Sequence, residues 1–154
     1  MAIGPGYADL VAVDADGRLT VIEIKLRKNA EARRAVVAQI LTYAAYLKGS
    51  SVEGVEAMLR SHLARIDATS IADAVQRTDQ SGQFDARVFN DNLAETLVAG
   101  AFRLVLVLDE AHSELVQLVG YLESISSGVV LDLMTVSAYE VGSEQILVPQ
   151  RVDP

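Results

Sequence analysis

The sequence predicts an α/β fold in which helices flank a mixed β-sheet, as a single domain over residues 1–154. The first 26 residues are rich in Val, Ile and Leu and have the pattern of a β-hairpin, and a helical pattern follows. Phe102–Leu108 is a continuous apolar run of strand length, as expected for a strand covered on both faces. With 51% hydrophobic residues, the chain can bury a core of ordinary size, which excludes a disordered protein.

The N-terminal hairpin is predicted from two β-prone segments, residues 7–14 and 18–26, separated by Ala15-Asp16-Gly17. A three-residue hairpin loop favours glycine at its third position, where the backbone is left-handed. The loop aligns Asp14 with Arg18, so the numbers of paired residues sum to 32. Because side chains alternate along a strand, this register decides which residues share a face.

Three ionisable side chains are expected at one end of this hairpin. The register places Asp9 across from Glu23, and Lys25 points to the same face. Two carboxylates about 5 Å apart repel each other. A hard divalent cation would bind both, with the backbone carbonyl of Ile24 as a third oxygen ligand. The alternative is a surface ion pair between Glu23 and Lys25, with Asp9 as a cap of the hairpin.

The next element is a helix over Asn29–Lys48, with Asn29 as its N-cap and Gly49-Ser50-Ser51 as its end. Residues 52–100 contain no convincing strand and are expected to form a helical insertion. Its helices are predicted at Val52–Ala64, Ser70–Arg77 and Asn90–Ala99. The apolar stripe of the first helix consists of Val36, Ile40, Tyr43 and Leu47.

The chain is then expected to return to the sheet. The right-handed crossover rule places the Phe102–Leu108 strand parallel to one hairpin strand. A helix over Ser113–Ser124 and strands over Val129–Ala138 and Ile146–Val148 complete the fold.

The amino-acid composition limits the kinds of functional site that the chain can form. The chain has no cysteine and two histidines, which excludes disulfides, thiol catalysis and sulfur-ligated zinc, so any metal would be held by oxygen. It has no signal-like N-terminus and no apolar run long enough to span a membrane, so a cytoplasmic location without membrane contact is expected.

The net charge is −8, but it is unevenly distributed. Residues 18–48 hold seven Lys and Arg against two Glu, which makes this segment +5 and the remainder −13. The segment is either a solvated helix face or a surface that approaches phosphates. In the second case Arg27, Lys28, Arg33 and Arg34 would contact a nucleic-acid backbone.

The candidate catalytic and metal-binding residues occur in an order that resembles a known family. Asp9, then Glu23-Ile24-Lys25, then Gln39 and Tyr43 on the following helix resemble the PD-(D/E)XK nuclease superfamily. The likeness is to its branch with a QxxxY helix motif, seen in RecB-type and NucS-like nucleases. The later strand and helix, residues 102–122, also resemble members of this family.

This resemblance implies a restriction-endonuclease-like fold and a DNA phosphodiester hydrolase that depends on Mg²⁺ or Mn²⁺. In such proteins the residues matching Asp9 and Glu23 ligate the metal, and the one matching Lys25 orients or deprotonates the attacking water. Gln39 and Tyr43 would line the DNA-facing site. The chain departs from the family at Ala8, where proline is common.

A second departure is that the helix and the strand with which this family begins are expected to be absent from this chain. A catalytically inactive nucleic-acid-binding or assembly domain of the same fold is therefore the alternative function. A third is an interaction domain in which Glu23 and Lys25 form an ordinary ion pair. The oligomeric state is open between a monomer and a homodimer.

Overall fold

The protein has an α/β fold built on a mixed five-stranded sheet with flanking helices, which confirms the predicted class. The computed structural model describes residues 1–26, 30–126 and 128–153, and for residues 30–34 only the backbone. The strands are β1 (Ala2–Ile3), β2 (Gly6–Tyr7), β3 (Leu10–Val13), β4 (Leu19–Lys25), β5 (Arg103–Leu108), β6 (Val130–Val141) and β7 (Glu144–Val152). The helices are α1 (Ala30–Leu47), α2 (Val52–Arg65), α3 (Ile71–Gln76), α4 (Ala86–Ala99) and α5 (Ser113–Ile125).

The sheet has the order β3-β4-β5-β6-β7. Strands β4, β5 and β6 are parallel to one another, and the edge strands β3 and β7 pair antiparallel to their neighbours. The parallel pairing of the 102–108 strand with a hairpin strand is therefore confirmed. Its register runs from Thr20↔Arg103 to Lys25↔Leu108, so the carboxyl ends of β4 and β5 lie at the same edge.

The main hairpin has the predicted register. Its ladder runs from Leu10↔Ile22 to Val13↔Leu19, pairs whose numbers sum to 32. Gly17 has a φ of +78°, the left-handed value expected at the end of the loop. An added Cβ there would lie 2.8 Å from the backbone nitrogen of Leu93, so helix α4 packs directly on this loop.

The first strand of the hairpin is shorter than predicted. Residues 7–14 do not form one strand, because the chain before Leu10 folds back into the small hairpin β1–β2. The Ala8 N–H donates to the Met1 carbonyl at 2.9 Å, and the Met1 ammonium donates to the Ala8 carbonyl at 2.9 Å. Ala8 thus pairs with Met1, and the ladder between β3 and β4 stops at Leu10.

Helix α1 and the helices within residues 52–100 occur where the sequence predicts helices. The predicted stripe of α1 is buried in the core, and residues 52–100 contain helices and no strand. Helix α4 begins earlier than predicted because the Asp85 carboxylate accepts the N–H groups of Arg87 and Val88 and caps it there.

Strands β6 and β7 are longer than predicted. They form one antiparallel hairpin closed by Gly142-Ser143, with Val141 opposite Glu144 and a φ of +65° at Gly142. The sequence predicted the end of β6 at Ala138. Most residues of the hairpin beyond Ala138 are exposed, so strand pairing continues there without a buried apolar face.

An ion cluster around one buried carboxylate joins the last three strands. The Asp132 carboxylate on β6 is 3% exposed and lies between two arginines. Arg103 Nε on β5 is 2.6 Å from one oxygen, and Arg151 Nε on β7 is 3.2 Å from the other. None of the helices in the described ranges has the length and apolar character of a membrane span.

Candidate active site

The centre of the candidate site is Glu23, in the second half of β4. Its side chain is 0% exposed and lies on the sheet face that packs against the core, opposite Leu106 of β5. Both carboxylate oxygens are buried, and within the described residues neither has a hydrogen-bond donor of correct geometry. Burial of a charged group without such partners costs folding free energy, so this position is not explained by packing.

Lys25 is the charged neighbour of Glu23. Its ammonium lies 2.7 Å from Glu23 Oε1, outside the angular range of a hydrogen bond, and the side chain is 37% exposed. The pKa of Lys25 is raised above its ordinary value, first by this short polar contact with Glu23 and then by the charges of Glu23 and Asp9, against partial desolvation. Lys25 is therefore protonated in this arrangement and partly neutralises Glu23.

Asp9 reaches the same end of β4 from the turn before β3. Its Oδ2 accepts the backbone N–H of Ile24 at 2.8 Å. In the ladder register that N–H would face Ala8, but Ala8 is bonded to Met1, so the Asp9 carboxylate takes the place of a strand neighbour.

The carbonyl of Ile24 faces the same region. The N–H and C=O of one strand residue point to the same side of the strand, so this carbonyl is directed toward Asp9. The sequence-predicted set of Asp9, Glu23 and Ile24 is thus brought to one end of β4, with Lys25 beside it.

Gln39 and Tyr43 lie together on α1, as their spacing predicts. The Gln39 amide donates to the Tyr43 hydroxyl at 2.5 Å, and that hydroxyl donates to the Tyr7 carbonyl at 2.9 Å. Tyr43 is only 1% exposed, and a Cβ on Gly6 would lie 2.8 Å from its hydroxyl. In this structure the pair therefore fixes the backbone that leads to Asp9.

The predicted basic contacts cannot be placed in the same way. Arg27 and Lys28 lie outside the described residues, and so do the side chains of Arg33 and Arg34. Their contact with a nucleic-acid backbone stays a prediction.

One exposed side chain beside the site was not anticipated from the sequence. Tyr7 is 75% exposed, while the following Ala8 is buried. The sequence predicted Tyr7 as the first residue of a long strand. The Gly4-Pro5-Gly6 turn was the available signal that the chain changes direction just before it.

The oxygen atoms of the predicted set are of the type that Mg²⁺ and Mn²⁺ prefer. The predicted set has two carboxylates and one carbonyl; over the described ranges no group of three or more Asp, Glu or His side chains is placed around a cation position. The Glu23 oxygens are buried, and only Oε1 has an ion-pair partner among the described residues; such oxygens are suited to a small hard cation, which needs oxygen ligands and keeps several waters.

Comparison of the chain with protein-family models, curated proteins and solved structures finds no match. A function for this chain is therefore inferred from its residues and their geometry.

Proposed function

We propose that this protein is a divalent-metal-dependent DNA phosphodiester hydrolase of the PD-(D/E)XK type, with a restriction-endonuclease-like arrangement of its sheet. The observation that supports this best is Glu23, a fully buried carboxylate whose oxygens have no correctly directed donor among the described residues. Asp9 and Lys25 stand beside it, in the order typical of that superfamily. A cytoplasmic location belongs to the same proposal, and the oligomeric state stays open between a monomer and a homodimer.

In this proposal Glu23, Asp9 and the Ile24 carbonyl hold Mg²⁺ or Mn²⁺. When bound, the cation polarises the scissile phosphate and lowers the pKa of a water molecule. Asp9 keeps one oxygen on the Ile24 N–H and offers the other, so the strand edge orients its carboxylate. Glu23 needs no large movement of the backbone, because the pairing of β4 with β5 already fixes its position opposite Leu106.

Lys25 has the second role. In the absence of a cation its ammonium is the counter-ion of Glu23. With a cation at Glu23, Lys25 would no longer be needed as its counter-ion, and the 37% exposed Lys25 side chain would be able to contact the nucleophilic water and the phosphate. A protonated lysine at that position stabilises the negative charge that develops on the phosphate during attack.

The inactive binding domain remains the second candidate, and a specific observation favours it. The Asp9 carboxylate already accepts a backbone hydrogen bond and Glu23 already pairs with Lys25. The described residues also supply no third carboxylate to this position. In this case the protein would bind DNA through its basic segment without cleaving it.

A cleavage assay tests the proposal. Wild-type protein should nick or degrade DNA with Mn²⁺ or Mg²⁺ and should be inactive in EDTA. Loss of a group that acts directly on the reacting atoms lowers rates by about 100-fold or more, so Glu23→Gln and Lys25→Ala should both lose most activity. The matched control is Glu140→Gln, an exposed carboxylate on β6 outside the site, which should cleave as wild type does.

Equal residual activity in wild type, Glu23→Gln and Lys25→Ala would show that the cleavage comes from a contaminant and would refute the nuclease function. DNA binding by wild type without any cleavage would select the inactive binding domain.

A further inference from the structure

One face of the five-stranded sheet is left open by the described helices. Paired residues, and every second residue along a strand, share a face, so Ile22, Val105 and Met134 lie on one side of the sheet. Glu23 and Leu106 lie on the other side, where one core cluster joins buried residues of all five described helices. That cluster contains none of Ile22, Val105 and Met134. We call the side of these three residues the open face.

The connections of the sheet agree with this assignment. The right-handed crossovers from β4 to β5 and from β5 to β6 place α1 and α5 on the same side of the sheet. Parallel strands are normally covered on both faces, yet Ile22 and Met134 are only partly buried, and Leu10, which pairs with Ile22, is 54% exposed. A contiguous apolar surface of this kind is typical of an interaction site.

The same side continues onto the hairpin of residues 136–149. Strand β6 pairs with β5 only as far as Thr135, so this hairpin projects beyond the other strands. Leu147 pairs with Ala138, which lies on the same side of β6 as Met134, and Leu147 is 64% exposed. A two-stranded hairpin on its own is marginally stable in water, so it too gains from a cover. Because the hairpin and the open face point to the same side, they cannot cover each other within one chain.

Charged side chains lie at the two ends of this surface. Arg103 donates from Nε to Asp132 at 2.6 Å, and its terminal nitrogens donate no hydrogen bond within the described residues. Arg151 lies beside the same carboxylate and is also 3.6 Å from the exposed Asp153. Glu140 is on the same side of β6 as Asp132 and about 26 Å farther along the strand, at about 3.3 Å per residue. The arginine end of the surface is therefore complementary to the end that holds Glu140.

We propose that a second copy of this chain covers the open face, with the two copies related by a two-fold axis. Their strands run antiparallel, so the hairpin of each copy lies on the open face of the other, and Glu140 approaches Arg103 of the partner subunit. A two-fold arrangement with parallel strands would bring like charges together at both ends, which is repulsive. The two copies use the same surface, so the contact closes without a further partner.

This interface goes beyond the proposed function, because Glu23 lies on the other face of the sheet. Its size sets the expected affinity. A hairpin about 20 Å long and about 10 Å wide covers about 200 Å² of the other sheet, so two hairpins bury roughly 400 Å² on each copy. Contacts of this size are typical of weak complexes, and we expect a dissociation constant of roughly 10–100 μM.

Sedimentation velocity at protein concentrations from about 1 to about 500 μM tests the interface. Wild type should pass from monomer to dimer over this range. Leu147→Glu places a charge on the open-face side of the hairpin and should weaken the dimer about 10-fold or more. The matched control is Ile146→Glu: this neighbouring side chain is 45% exposed and points to the other side of the hairpin, so the dimer should keep its affinity within about twofold.

Wild type that stays monomeric over the whole range would overturn the proposal and leave the open face to a different kind of partner. An unchanged dimer in Leu147→Glu, or equal weakening in the two variants, would show that the open face is not the interface. Both side chains are exposed in the single chain, so the melting temperatures of the two variants should equal that of wild type.

Spin labels measure the relative direction of the two copies. The chain has no cysteine, so Ser143→Cys carries one label at the tip of each hairpin. With the axis midway between Asp132 and Glu140, the two labels should lie about 40 Å apart in double electron–electron resonance. A separation below about 20 Å would place the two tips together and overturn the antiparallel arrangement.

Discussion

Two buried carboxylates, those of Asp132 and Glu23, have very different partners among the described residues. Asp132 is 3% exposed, and each of its oxygens faces an arginine Nε, at 2.6 and 3.2 Å. Glu23 is 0% exposed and has the ammonium of Lys25 at one oxygen only, with no correctly directed donor in the described residues. Asp132 is thus satisfied by side chains from neighbouring strands, while Glu23 retains free coordination capacity. This contrast supports the proposal that Glu23 is a metal ligand.

At this scale we expect Lys25→Met to destabilise the metal-free protein. Removing one member of a buried ion pair costs roughly 3–5 kcal/mol. Because the Lys25 side chain is 37% exposed, we expect a loss of about 2 kcal/mol in the free energy of unfolding at neutral pH. Urea denaturation of both proteins measures it. Lys48→Met is the control, since Lys48 is exposed and has no ion-pair partner among the described residues.

The pH dependence of that loss has a definite sign. The pKa of Lys25 is raised in the folded protein, so its stabilisation is complete below the ordinary value of 10.5 and is lost as the pH rises through the higher folded value. The stability difference between wild type and Lys25→Met should therefore be constant at neutral pH and should shrink above pH 10.5. A difference that is absent at neutral pH would contradict the pairing of Lys25 with Glu23.

Among the elements, the hairpin β3–β4 decides the geometry of the site. Its register follows from a single residue, Gly17, whose left-handed backbone closes the loop and sets Leu10 opposite Ile22. The same glycine lets α4 approach, because the loop backbone lies against Leu93. The helical insertion therefore supports the loop from which β4 runs to Glu23.

We expect Gly17→Ala to be more destabilising than the same change at another left-handed glycine. A Cβ at Gly17 would lie 2.8 Å from Leu93 N and 2.9 Å from Phe89 O, both backbone atoms that cannot move aside easily. Gly82 has a similar φ of +68° and nothing within 4 Å of its Cβ position.

Gly82→Ala should therefore cost about 1 kcal/mol, the backbone strain alone, and Gly17→Ala about 2–3 kcal/mol in thermal or urea unfolding. Equal losses of unfolding free energy in the two variants would show that the contact between the loop and α4 does not contribute to stability.

Much of the structure of these strands and helices could be predicted from the sequence, because local chemistry determines it. The loop glycine fixed the register of β3–β4, and the period of α1 identified Val36 and Tyr43 as buried. The pairing of Ala8 with Met1 could not be predicted from the sequence, since it depends on main-chain hydrogen bonds next to a pair of two-residue strands. As a result, Asp9 bonds to Ile24 N–H from a turn, whereas the sequence placed it within the strand.

For the whole molecule, topology and charge place the candidate site at one edge of the sheet. Strands β4, β5 and β6 are parallel, and ligands of open α/β sheets bind at the carboxyl ends of such strands. Lys25 lies at that end of β4 and belongs to the segment of residues 18–48, which has a charge of +5 in a protein of net charge −8. A polyanion would be attracted to this segment and repelled by the remainder, whose charge is −13.

The most direct test of the central claim, that Glu23 and Asp9 form a metal site, is thermal unfolding in EDTA and in saturating Mn²⁺. A cation at about 100 times its dissociation constant stabilises the folded state by about 2.7 kcal/mol, or about 5–10 °C for a chain of this size. Wild type should show this rise, and Glu23→Gln and Asp9→Asn should lose most of it. Wild-type melting curves that coincide in EDTA and Mn²⁺ would contradict the account.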